Sequence, residues 1–121
     1  MSVGGPASLR LHAWARQVNR PFGPCYLVGS ATGSKAWRDV DVVCLLTESQ
    51  WERLFGPHGG GGQSFNLRWA ALCQAFSLWA SEQTGLPVDF KFQLIEDANA
   101  RHDGPRHALG LDIEQCDGVE P

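Results

Sequence analysis

A chain of 121 residues with 43% hydrophobic and 19% charged residues has the composition of one ordinary folded domain, not of a disordered chain. Its formal net charge of −3 lacks the basic balance of a non-specific nucleic-acid binder, so binding of that kind is not expected. No apolar stretch reaches the roughly 20 residues of a membrane-spanning helix, and residues 1–6 show no signal-peptide pattern. The expectation is a single cytoplasmic domain over 1–121 with no membrane association.

The first helix is expected to start at a Ser8 cap and to bury Leu11, Trp14, Ala15 and Val18, which fall at i, i+3, i+4 and i+7. Pro21, Gly23 and Pro24 end it and lead into an apolar strand over 25–28 that finishes in Gly29 and Ser30. A short connection follows, with a helical turn whose N-terminal amides suit an anion. The next strand opens with Asp39 and Asp41 and continues as Val42, Val43, Cys44, Leu45 and Leu46, apolar on both faces as a central strand is.

Thr47 and Gln50 have capping-box spacing for a short helix with Trp51, Leu54 and Phe55 inward. Residues 56–63 include four consecutive glycines. No Lys-Ser or Lys-Thr follows them as a P-loop requires, so they read as a loop. Residues 65–84 form the longest helical pattern, with Trp69, Leu72, Cys73, Phe76, Trp79 and Ala80 along one stripe and Gly85 as the C-cap. Packing against the sheet explains that stripe better than an aromatic ligand platform.

Residues 87–95 alternate. Val88, Phe90, Phe92 and Leu94 make a core face, which leaves Asp89, Lys91, Gln93 and Ile95 on the other. A short helix over 96–101 and a loosely ordered tail from about residue 103 complete the chain. The element order predicts an α/β (α+β) domain with a small mixed β-sheet of three or more strands and helices packed mainly on one face. Cys25, Cys44, Cys73 and Cys116 form no Cys-x-x-Cys pair, and His12, His58, His102 and His107 show no shared ligand spacing. Neither a zinc site nor a disulfide frame is expected.

The chemistry lies in the acids. Asp39 and Asp41 are two residues apart on a strand and point the same way. Parallel carboxylates at the end of a buried strand repel one another and call for a cation; Mg²⁺ takes hard oxygen ligands and usually brings phosphates with it. Alone, a Gly-Ser pair is a turn, Asp-x-Asp is a solvated strand end, and Asp89 is surface. In this order and on these elements they argue for a site.

An apolar strand into Gly29-Ser30, then Asp39-x-Asp41 in an apolar strand, then Asp89 in Gly-Leu-Pro-Val-Asp-Phe resembles the DNA polymerase beta-like nucleotidyltransferase superfamily, and among its members the minimal nucleotidyltransferases. The resemblance spans residues 9–95. It implies a nucleotidyltransferase-like fold and Mg²⁺-dependent transfer of a nucleoside monophosphate from a nucleoside triphosphate to a hydroxyl of a protein, RNA or small molecule. Asp39, Asp41 and Asp89 would be the catalytic acids and would hold two Mg²⁺ ions, and Gly29 and Ser30 would contact phosphate.

Two departures stand out. Arg38 occupies the place where many relatives carry Ser, and Thr32-Gly33 the place of an Arg-Gly. Lys35 or Arg38 is the candidate replacement cation at the phosphates. The residues after Asp89 are too few for the acceptor-binding helical domain of antibiotic-modifying relatives. The resemblance therefore implies a protein partner or homo-oligomer supplying the acceptor site, as in antitoxin-type enzymes. The alternative is a non-catalytic nucleotide-binding or protein-interaction module on the same fold.

Overall fold

The computed structural model describes residues 5–28, 40–57, 66–101 and 106–110, which build a small mixed α/β structure of four helices and a four-stranded sheet. The elements are α1 (Gly5–Asn19), β1 (Cys25–Val28), β2 (Val40–Leu46), α2 (Glu48–Phe55), α3 (Leu67–Thr84), β3 (Val88–Leu94), α4 (Ile95–Arg101) and β4 (His107–Ala108). The strands lie in the order β3-β2-β1-β4, with β1 antiparallel to both neighbours and β2 parallel to β3. A parallel pair needs a long crossover, and α2 and α3 lie within it.

Leu11, Trp14, Ala15 and Val18 of α1 are fully buried, as their helical spacing predicts. Ser8 is not the cap: it lies inside α1, which begins upstream with Pro6 in its first turn. Proline suits that turn because its missing N–H has no intrahelical partner to lose. Between α1 and β1 the chain approaches β2 so closely that a Cβ on Gly23 would stand 2.5 Å from the Leu45 carbonyl oxygen, which only glycine permits.

The capping box at α2 forms as expected. Gln50 N–H donates to Thr47 Oγ1 at 3.2 Å and Thr47 N–H donates to Gln50 Oε1 at 2.9 Å. It sets Trp51 and Phe55 into the core. α3 is capped by Asn66, whose Oδ1 accepts from Trp69 N–H at 2.9 Å, and ends at Gly85 in the left-handed conformation, φ 75°.

The sheet divides the molecule. Val42 and Cys44 of β2 and Val88, Phe90, Phe92 and Leu94 of β3 join residues of α1, α2 and α3 in the main core. Phe92 is its aromatic hub, with Phe22, Phe55, Phe76 and Phe90 rings at centroid distances of 4.9 to 5.6 Å. The opposite face carries a smaller cluster of Val28, Val43 and Leu45 with Ala98 of α4.

β3 is an edge strand, and α3 closes its outer edge. The Ser81 hydroxyl accepts from Val88 N–H at 2.9 Å and donates to the Val88 carbonyl at 3.4 Å. The Ser77 hydroxyl serves Phe90 in the same way, at 2.8 and 3.4 Å. Cys73 Sγ accepts from Phe92 N–H at 3.4 Å, and Trp69 Nε1 donates to the Phe92 carbonyl at 2.9 Å. The seam thus shares Trp69 and Cys73 with the expected apolar stripe and continues through Ser77 and Ser81 beside it, and Trp79 is left 37% exposed.

Residues 106–110 differ from the loosely ordered tail expected there. β4 pairs with β1, Leu109 is buried, and Leu109 N–H donates to the Cys25 carbonyl at 2.9 Å. Asn19 Nδ2 donates to the Leu109 carbonyl at 2.9 Å and Gly110 N–H to His12 Nδ1 at 3.0 Å.

Two outcomes follow from these contacts. Ser77→Ala leaves the Phe90 N–H without its partner and should lower stability by about 1 kcal/mol or more, although alanine is the better helix former. Urea unfolding reads this, and an unchanged midpoint would show that the edge bonds contribute nothing net. The His12 imidazole must be neutral to accept from Gly110, and burial, then Arg16, lower its pKa from the ordinary 6.5. Below 6.5 the unfolded chain therefore binds the proton first, and stability should fall with pH until the lowered native value is reached. His12→Gln should flatten that part of the curve; an identical pH profile for the variant would contradict the assignment.

Candidate active site

Asp41 and Asp89 are register partners on the parallel pair β2 and β3, near the N-terminal end of each strand. Both alternations place them on the face opposite α1, since Val40 and Val42, like Val88 and Phe90, point into the main core. Adjacent strands lie about 4.8 Å apart, so the two carboxylates project side by side. Val28 of β1 is the partner of Asp41 on its other side.

These residues line a cavity of about 230 Å³ together with Val42, Val43, Lys91 and Gln93. Lys91 Nζ stands 3.4 Å from Asp89 Oδ2, and both side chains are about half exposed. A pair this long and this solvated is weak. At the far end of the lining, Gln93 Oε1 is buried and has no hydrogen-bond partner among the described residues. Two neighbouring carboxylates suit one divalent cation that keeps several waters, which is how Mg²⁺ is usually held. Among the described residues no group of three or more acids, histidines or cysteines converges.

The sequence reasoning placed Asp41 and Asp89 in one site, and the structure brings these two together. Asp39, Gly29, Ser30, Lys35 and Arg38 lie outside the described residues. What that reasoning missed as site residues are Lys91 and Gln93, together with the apolar floor of Val28 and Val43. The signal for the first two was present, since they share the face of Asp89, but any exposed side of an alternating strand reads alike.

Two other cavities are less well equipped. The larger, about 360 Å³, is lined by Pro21, Phe22, Gln50, Arg53 and Leu54, without a carboxylate or nucleophile. Another, about 180 Å³, lies at the C-terminal ends of the parallel strands and includes Glu48 and Glu96. In open parallel sheets that end commonly takes the ligand. Here its hydroxyl, that of Thr47, is already engaged in the helix cap.

The described cysteines are free, buried and inert. Burial pushes the Cys73 thiol up to about 11, and a hydrogen bond between Cys44 and Cys25, then burial, raises the Cys44 thiol. Neither is a nucleophile at neutral pH. No protein-family model, curated protein or solved structure matches the chain.

Gln93→Leu should raise the stability of the ligand-free protein by about 1 kcal/mol, because it removes a buried acceptor that lacks a donor. Urea unfolding would report it. A loss of stability would show that Gln93 is already satisfied in solution.

Proposed function

We propose that this protein is a Mg²⁺-dependent nucleotidyltransferase of the DNA polymerase beta-like kind, moving a nucleoside monophosphate from a nucleoside triphosphate to an acceptor hydroxyl. The observation that carries the reading is the side-by-side register of Asp41 and Asp89 over a cavity on the sheet face away from α1. Two acids from distant parts of the sequence are register partners on adjacent strands, which supports the reading.

Asp41 and Asp89 are the described residues that would hold the metal, and Asp39 would complete the set. When bound, Mg²⁺ neutralises triphosphate charge and lowers the pKa of the attacking hydroxyl. In the transfer, a bond forms between the acceptor oxygen and the α-phosphorus, the α–β phosphoanhydride bond breaks, and pyrophosphate leaves. Asp89, at the solvent-reached side of the cavity, accepts the hydroxyl proton and passes it to water. Gly29 and Ser30 would contact the outer phosphates, with Lys35 or Arg38 as the cation there. Two strands of one sheet fix the acids relative to each other, and alignment of that kind supplies most of the rate enhancement such chemistry needs. The acceptor site is proposed to be supplied by a protein partner or a second copy of the chain.

The test is thermal unfolding with each nucleoside triphosphate, with and without Mg²⁺, on wild type and Asp41→Asn. Ligand at a hundred times its dissociation constant should stabilise wild type by about 2.7 kcal/mol, only when metal is present, and the variant should show no shift. A shift that persists without Mg²⁺ or in Asp41→Asn would favour the non-catalytic nucleotide-binding module. No shift with any triphosphate would remove the nucleotide reading.

A further inference from the structure

We infer that Lys91 is a positioning residue of this cavity: its ammonium holds Asp89 while no metal is bound and turns to the substrate's phosphates once a metal takes that carboxylate. The inference rests on the nucleotidyltransferase reading above.

Lys91 and Asp89 are two residues apart on β3, so both project from the same face, and both line the cavity. The ammonium lies 3.4 Å from one carboxylate oxygen, Oδ2. A tight charge-assisted bond measures about 2.7–2.9 Å, so this one is loose and easily exchanged. Each side chain is 49% exposed, so water already solvates both charges and separating them carries a small penalty. Lysine is a compact charge on a flexible stem, able to leave one oxygen and reach another without moving the strand. An ammonium and a divalent cation repel at contact distance, so they compete for Asp89. The displaced ammonium stays in the cavity beside the metal, where the charge still to be neutralised is phosphate. Lys91 would thereby keep Asp89 directed into the cavity before substrate arrives, and afterwards serve as a phosphate ligand.

The signature is a pair of opposite changes. Calorimetric titration of Lys91→Met should show Mn²⁺ alone binding up to about fivefold tighter than to wild type, the ceiling expected for losing an exposed pair. The same variant should bind Mg²⁺-tripolyphosphate several-fold more weakly. Lys91→Arg should restore the tripolyphosphate affinity. A merely structural role for Lys91 would weaken both ligands together. Equal Mn²⁺ affinity in wild type and Lys91→Met would overturn the inference and leave the nucleotidyltransferase reading standing. No Mn²⁺ binding by either protein would overturn both.

Discussion

The contact on which the rest of the structure depends is the seam between α3 and the outer edge of β3. Alternate residues of a strand present N–H and C=O to the same side about 6.6 Å apart, while every fourth residue of a helix advances about 6.0 Å. Trp69, Cys73, Ser77 and Ser81 follow the second spacing, and Phe92, Phe90 and Val88 follow the first in the opposite direction. The two periods stay in step for three strand positions, enough to pair the six outward backbone groups of Val88, Phe90 and Phe92. A helix here does the work of a neighbouring strand.

That seam fixes β3, and β3 positions Asp89. With its outer edge held by α3 and its inner edge bonded to β2, the strand can neither slide nor tilt without breaking one set of bonds. A register slip of one residue would turn Asp89 into the core and Phe90 out to solvent. The core residues Phe90 and Phe92 therefore act at a distance on the site: they hold the alternation that keeps Asp89 and Lys91 on the open face. Among the described residues, Ala98 and Ile95 of α4 cover part of the same face, beside the cavity.

Much of this was legible in the sequence, for local reasons. The buried stripe of α1, the Thr47–Gln50 capping box, the Gly85 terminus and the alternation from Val88 to Leu94 each depend on residues within a turn or two of one another. Their signals survive without tertiary knowledge. The α3 seam did not show, because a serine at 77 or 81 looks like a solvated gap in an apolar helix until a strand edge is placed beside it. β4 did not show either. Its two residues have no periodicity, and its neighbours Leu109 and Gly110 are held by Asn19, Cys25 and His12, all remote in sequence. Asp41 and Asp89 could be put on like faces of two strands. That those strands are adjacent, parallel and in register comes from the crossover through α2 and α3, which no spacing encodes.

Sealing one side of the sheet also limits how copies of the chain can meet. An open sheet with two bare edges can add strands at both and grow without end, as fibres do. With the β3 side occupied by α3, the β4 side is, among the described strands, the edge left for backbone pairing between molecules. Two chains joined there would each present a sealed edge outward. Such an assembly stops at two.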